Sequence, residues 1–310
     1  MRLSRTNDSQ HKRLNILIFG EPKVGKTSLA KTLPVSDDSK VYYLAVDPGQ
    51  LALRSRKFVI GEPDEGQQAG EKFFEEAYQH LLHEGHKYEW VIVDGCDEIA
   101  ESILKDRLKT QRDARKGYGE MAEYVEDWMK RMRDISGVST IFITHIECKD
   151  VGENQVVYEP MFPGKQIQKQ VNAWFDLIGC MRIVKGPDGN NQRVLQFSPD
   201  MDTRYKVGDR SGVLSGYENP NLSEVFDKIH KAGLETRGEW SPPLPQVSAS
   251  DFPDPVVTEV ELRNLVEVGK MLDKTPDQLM ALSQKMYGKG PRELLVSEYG
   301  KLIEQLRVMS

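Results

Sequence analysis

Near the start of the chain, Gly20-Glu21-Pro22-Lys23-Val24-Gly25-Lys26-Thr27 fits the pattern G-x-x-x-x-G-K-[ST] at every fixed position. It follows the hydrophobic run LNILIFG (14–20) and opens the helix-forming stretch KTSLAKTL, which is the context such a loop needs to cradle phosphates. The glycines let backbone N–H groups turn inward, and the start of a helix adds partial positive charge. In this pattern Lys26 reaches the β- and γ-phosphates of a nucleotide, Thr27 holds Mg2+, and Ser28 completes the cradle.

Three further residues carry candidate chemistry. Asp94 closes VIVD, a hydrophobic run ending on an acid, the Walker B arrangement in which a carboxylate supports Mg2+ through water. Asp97 and Glu98 follow and read as solvent-facing acids at a helix start. Asp47 ends a second run in LAVDPG. At the carboxyl end of a strand it would face a ligand crevice and orient an attacking water; it would equally suit a turn before Pro-Gly. Thr144-His145 ends another run, where His145 would sense a γ-phosphate or serve as a structural histidine. NKxD is absent, and the acid after the second strand is followed by Pro-Gly rather than spaced as DxxG, so ATP is favoured over GTP.

Two segments have the composition to bind nucleic acid. KDRLKTQRDARKGYG (105–119) carries Lys105, Arg107, Lys109, Arg112, Arg115 and Lys116 against Asp106 and Asp113, a local balance of +4, with Tyr118 near its end. It reads as a mobile connection whose cations would neutralise phosphates while the aromatic stacks on a base; a solvated helix face has the same composition. The second segment, 148–170, offers Lys165 and Lys169 with Tyr158 and Phe162 as stacking groups, diluted by Asp150, Glu153 and Glu159. The arm from Arg2 to Arg13 is a third and vaguer candidate.

The elements that must position these residues follow from periodicity. LNILIFG, VYYLAV (41–46), YEWVIVD (88–94) and STIFIT (139–144) read as fully buried strands. Between them, residues 71–84 and 121–132 place apolar side chains at helical spacing. Strands alternating with helices predict an α/β fold: a mainly parallel sheet covered on both faces. After position 150 the pattern changes. IGCMRIV (178–184) and RVLQFS (193–198) flank a PDGNN turn and read as a hairpin. Residues 222–233 read as a helix. The stretch 236–255 holds five of the sixteen prolines and reads as a linker. Residues 256–310 regain helical spacing, with Thr275-Pro276-Asp277-Gln278 as a capped helix start. The expected organisation is a nucleotide-binding core over 1–235, a proline-rich linker over 236–255 and a small helical interaction module over 256–310.

Composition bounds the rest. With 310 residues, 38% hydrophobic and 29% charged, the chain is long enough for two domains. A net charge of −6 confines any nucleic-acid contact to local patches. Cys96, Cys148 and Cys180 are scattered, as in a reducing compartment. No run reaches the roughly 20 apolar residues that span a bilayer, and MRLSRTNDSQHKR lacks a signal core. A cytoplasmic protein with no membrane contact is expected.

The ordered set GEPKVGKT, YLAVDPG, VIVD, IFITHIE, PGKQIQ with the downstream WFD, and YKVGDRSGVL resembles the RecA-like phage nucleotide-binding proteins, which include the Sak-type single-strand annealing proteins, over roughly residues 14–235. The helical tail is similar to C-terminal modules seen on several phage annealing and recombination proteins. The resemblance implies a RecA-like P-loop NTPase core using ATP and Mg2+. It gives Asp47 the catalytic-carboxylate role that a Glu more often fills, and the shorter side chain argues for slow hydrolysis. It makes His145 a sensor and places Lys206 and Arg210 where recombinases touch a neighbouring subunit's ATP. The function it implies is single-stranded-DNA binding with annealing or strand pairing by a self-assembling ring or filament in a bacterial host's cytoplasm. A weak DNA-dependent ATPase activity is expected, with the tail recruiting a single-stranded-DNA-binding protein. A small-molecule kinase with 105–116 as an arginine-rich lid, or an assembly or loader protein that binds ATP without hydrolysing it, would share the same phosphate loop.

Overall fold

In the computed structural model, the residues described are 13–46, 49–64, 69–152, 155–186, 189–199, 204–235, 259–272, 274–294 and 296–308. Asp47 and the stretch 236–255, expected to be a catalytic acid and a linker, lie outside them. The elements run β1 (Asn15–Gly20), α1 (Lys26–Leu29), β2 (Val41–Ala45), β3 (Val59–Gly61), α2 (Glu71–Glu84), β4 (Trp90–Asp94), α3 (Cys96–Thr110), α4 (Ala114–Arg133), β5 (Ser139–Gly152), β6 (Gln155–Pro160) and α5 (Lys165–Gln170). They continue with β7 (Leu177–Lys185), β8 (Asn191–Gln196), β9 (Gly208–Asp209), β10 (Tyr217–Glu218), α6 (Leu222–Glu235), α7 (Glu259–Met271), α8 (Pro276–Tyr287) and α9 (Val296–Val308).

Every residue of β1, β2 and β4 is buried, because these strands are apolar on both faces and both faces are covered. The sheet order is β10-β8-β7-β1-β5-β4-β2-β3, with β6 on β5 and β9 on β7. The pairs β7–β1, β1–β5, β5–β4, β4–β2 and β2–β3 are parallel; β10–β8 and β7–β9 are antiparallel. This is the α/β fold expected, a mostly parallel sheet flanked by helices. β5 lies between β1 and β4, so a residue late in β5 stands between the phosphate loop and Asp94.

The helices dock by specific contacts. Trp128 on α4 is fully buried and donates its indole N–H to Phe74 O on α2 at 2.8 Å. Trp90 at the start of β4 stacks on Phe226 of α6 at 4.7 Å between ring centroids. α1 is shorter than the expected KTSLAKTL helix and tightens to a 3-10 turn at Ala30–Thr32. Leu33 precedes Pro34 and takes ψ 140, since proline drives the residue before it out of helical geometry.

The segment 105–119 is helical rather than a mobile connection. α3 runs through Thr110, and Asp113 caps α4 by accepting from the Arg115 N–H at 2.9 Å. The helices touch at Gly117, where a Cβ would lie 3.1 Å from Leu108. The strand expected over 139–144 continues to Gly152 and pairs with β6.

The described residues divide into two compact units, one within Met1–Glu147, Tyr158–Arg182 and Leu195–Gln246, the other within Cys148–Val157, Ile183–Val194 and Val247–Ser310. The second has its own core of Leu265, Leu279, Leu294, Tyr299, Leu302, Ile303 and Leu306 from α7, α8, α9 and the α8–α9 connection. Thr275 and Gln278 form a reciprocal capping box at the start of α8. Gly269 lets α7 approach Leu279, where a Cβ would meet Cδ1 at 2.7 Å.

Candidate functional site

Strand register gathers the sequence-predicted residues at one end of the sheet. Gly20 pairs with His145 on β5 and with Met181 on β7. Asp94 pairs with Ile143 on one side and Ala45 on the other. The carboxyl ends of β1, β5, β4 and β2 thus surround a cleft of about 490 Å3 lined by Lys23, Gly25, Lys26, Thr27, Ser28, Gly49, Asp94, Asp97, Thr144 and His145, among others. A volume in this range suits a small-molecule site. A second cleft of about 340 Å3 opens at the amino ends of the same strands, beside Leu14, Trp90 and Ser139, and holds none of the phosphate-loop residues.

The loop's shape follows from its residue types. Gly20 has no room for a side chain, since a Cβ would collide with Met181 O. Gly25 has φ 114 and Lys23 has φ 65, left-handed positions that reverse the chain around the cleft. Pro22 is exposed, Glu21 half-buried, and Val24 anchors the loop in the core. Lys26, 7% exposed, donates to Gly20 O and Glu21 O, both at 2.9 Å. Its ammonium therefore lies against the loop carbonyls, and a phosphate entering the loop would compete for it.

The metal corner is equally defined. Thr27 Oγ1 donates to Asp94 Oδ2 at 2.7 Å. The same oxygen accepts the phenolic O–H of Tyr43, a fully buried side chain on β2, at 2.5 Å. Gly49 presents bare backbone here; a Cβ would come within 3.3 Å of Thr27 Oγ1 and 3.8 Å of Asp94 Oδ2. A hydroxyl and a buried carboxylate, both hard oxygen donors, fit Mg2+, which keeps several waters and takes few protein ligands. Tyr43 reads in the sequence only as part of a buried strand. Its signal is one of two adjacent tyrosine hydroxyls in an otherwise apolar run, one strand away from Asp94.

Asp97 is not the solvent-facing acid expected. It is 3% exposed and lines the cleft. Its Oδ2 lies 2.6 Å from His145 Nδ1, and its Oδ1 accepts from Thr144 Oγ1 at 3.3 Å. The cause is local: Gly95 at φ 99 starts α3 directly after β4, so the first turn of α3 rises beside the end of β5. Cys96 next to it is buried, and burial with the neighbouring Asp97 and Asp94 charges pushes its thiol well above the usual range, which leaves it no thiolate for nucleophilic work.

The remaining candidates fall elsewhere. Lys206 and Arg210 do not line the cleft. Lys206 is exposed, while Arg210 donates to Ala173 O at 2.6 Å and lies 3.8 Å from Asp176. Tyr158 and Phe162 are 0% and 2% exposed. Tyr158 stacks on Tyr205 at 4.6 Å, so the expectation that these two rings stack on bases is corrected: both are core. Lys105, Lys109 and Lys116 are exposed and paired along their own helices with Glu101, Asp106 and Glu120. Arg107 is half-buried, 2.7 Å from Glu71. Arg112 and Arg115 are exposed and make no ion pair with the described residues, and the same holds for Lys165 and Lys169 on α5. Gly164, at φ 84, packs on the exposed Tyr118 ring, where a Cβ would lie 3.3 Å from Cδ1. The two basic segments thereby touch at this point.

A glycine-lined loop after β1, a lysine within it, and a Thr–Asp corner at the carboxyl edge of a mostly parallel sheet define a P-loop nucleotide-binding protein. In agreement, the model of the AAA domain family, a family of P-loop NTPases, matches residues 12–210. The chain belongs to that family, whose domains generally bind ATP with Mg2+. No curated protein matches the chain. Among the described residues, no helix is long and apolar enough to cross a membrane.

Proposed function

We propose that the chain is an ATP-binding, single-stranded-DNA-binding protein that promotes annealing or strand pairing, with ATP and Mg2+ at the Lys26–Thr27–Asp94 corner. The observation that carries the nucleic-acid part is the packing of Gly164 on Tyr118. It sets Tyr118, three residues after Arg115, against Gly164, the residue before Lys165; Arg112, Arg115, Lys165 and Lys169 are all exposed and without ion pairs to described residues. Unpaired cations neutralise phosphates without first breaking a salt bridge, and a half-exposed tyrosine offers a face to a base. The resemblance to RecA-like annealing proteins supports the same reading.

In this reading the subunits assemble on DNA, with Lys206 reaching a neighbour's nucleotide, since it is exposed and outside its own cleft. Arg210 would have to leave Ala173 and Asp176 to join it. The α7–α9 module recruits a partner, the single-stranded-DNA-binding protein. The test is a titration of a fluorescent oligonucleotide with and without ATP–Mg2+, read alongside particle size. The expected result is ATP-dependent binding with growth of the particle. Nucleotide binding with no response to DNA would replace this reading with a small-molecule kinase or a DNA-independent assembly protein.

A further inference from the structure

The cleft contains a pair of side chains that phosphate and Mg2+ binding do not use. Asp97 is buried in the first turn of α3, and His145 ends the part of β5 that separates β1 from β4. A carboxylate can only accept hydrogen bonds. At 2.6 Å from Asp97 Oδ2, His145 Nδ1 donates to the ionised carboxylate, and in that tautomer a neutral ring carries its basic nitrogen at Nε2. The Thr144 hydroxyl, with a single proton to donate, lies 2.9 Å from Met161 O and 3.3 Å from the other Asp97 oxygen, so His145 is the closer partner of the carboxylate. Both members of the pair line the same cleft as Lys26, Thr27 and Asp94.

We propose that His145 is the proton acceptor for ATP hydrolysis in this cleft and that Asp97 is its positioning residue; this rests on the reading of the cleft as an ATP site. The water oxygen bonds to the γ-phosphorus, and the bond from the γ-phosphorus to the β–γ bridging oxygen breaks. ADP departs with that electron pair. The water proton passes to His145 Nε2, and the Asp97 carboxylate holds the resulting imidazolium through Nδ1–H. The imidazolium then returns its proton to the released phosphate. This division of labour needs no carboxylate in contact with the water, because the carboxylate acts through the ring. Among the described residues that line the cleft, the other charged groups are Asp94 from β4 and Lys23 and Lys26 from the loop, and Glu147 lies two residues along β5.

The experiment measures ATP binding and phosphate release side by side, as a function of pH, for the full chain, Asp97→Asn and His145→Gln. Both variants are expected to bind ATP within about threefold of the parent while turnover falls about a hundredfold, the usual effect of losing a positioned general base. In Asp97→Asn the acidic limb of the rate profile moves to lower pH, since the imidazolium has lost its carboxylate partner. A purely structural role would lower activity without moving that limb, and an unmoved limb or unchanged turnover overturns the proposal. Should Asp97→Asn fail to fold, the long-range proton–nitrogen spectrum of His145 in the parent decides: an Nδ1–H tautomer supports the pair and an Nε2–H tautomer overturns it. A parent chain that binds ATP without releasing phosphate overturns this proposal and leaves the ATP site intact; one that binds no ATP removes both.

Discussion

Tyr43→Phe tests the metal corner with the least disturbance, because it removes one oxygen and keeps the ring. Tyr43 is fully buried, and its hydroxyl donates to Asp94 Oδ2, which also accepts from Thr27. A hydrogen bond to a charged group contributes about 1.5–3 kcal/mol. Asp94 keeps the Thr27 hydroxyl in the free protein, so its carboxylate is not orphaned, and the low end, about 1.5 kcal/mol, applies to folding. For a domain of this size that is a fall in melting temperature of about 3–6 °C. Nucleotide binding is affected separately. When Mg2+ draws Thr27 away, the Tyr43 hydroxyl still donates to Asp94, so its loss matters more in the bound state than in the free one. The expected cost is about 1.4 kcal/mol, or tenfold in ATP affinity, with Mg2+ present and little change in a chelator. Calorimetric titration in both conditions, beside thermal unfolding, reads both numbers. Equal loss of affinity with and without Mg2+ would refute the idea that Tyr43 acts through the metal-supporting carboxylate, and an unchanged melting temperature would refute the hydrogen bond.

Four other outcomes follow from the same geometry. Lys26→Ala should lower ATP affinity at least about tenfold, read by calorimetry, and should leave the fold intact because the ammonium bonds to backbone carbonyls, Gly20 O at the end of β1 and Glu21 O in the loop. Neutralising Arg112, Arg115, Lys165 and Lys169 should reduce the magnitude of the log–log salt slope of single-strand binding by roughly 0.7 for each phosphate no longer neutralised, while ATP binding is spared. Burial, reinforced by the neighbouring Tyr88, pushes the Tyr42 phenol up to about 12 from 10.0; a raised acid stabilises the fold fully below pH 10 and loses that contribution as pH rises toward 12. Melting temperature should fall over that window and fall less in Tyr42→Phe, although Tyr88 and Tyr124, also pushed up by burial, retain part of the slope. Truncation after residue 240 should leave ATP and naked single-strand binding within a factor of a few and reduce annealing of strands coated by single-stranded-DNA-binding protein; equal annealing of coated strands would remove the recruitment role from the tail.

What is readable from the sequence is what is encoded locally. The strands over 14–20, 41–46 and 88–94 are runs whose every central residue is apolar, and each is a buried strand. The capping box at Thr275 lies within four consecutive residues and forms as written. The phosphate loop is likewise a continuous string, so Lys23, Gly25, Lys26, Thr27 and Ser28 meet at the cleft by construction. Even here proximity in sequence sets the limit: the helix expected over 26–33 tightens to a 3-10 turn at Ala30–Thr32, and Pro34 accounts only for Leu33 leaving helical geometry.

The rest of the site depends on which strand lies next to which, and composition carries no such information. Asp97 looks like any acid in a first helical turn. It becomes a buried partner of His145 because β5 is inserted between β1 and β4, which brings position 145 beside position 97 across an interval of 48 residues. The aromatic residues of 148–170 mislead for a related reason. Tyr158 and Phe162 share a segment with the cations Lys165 and Lys169, as stacking rings would, but Tyr158 meets Tyr205, 47 positions away, at a ring separation of 4.6 Å. The exposed ring of the pair of segments is Tyr118, and Gly164, the residue before Lys165, packs against it. An aromatic residue beside cations therefore means stacking only where the fold leaves its face open. The same chain shows both cases: Tyr158 is closed by a neighbour from a distant turn, and Tyr118 stays open because the residue packed on it has no side chain.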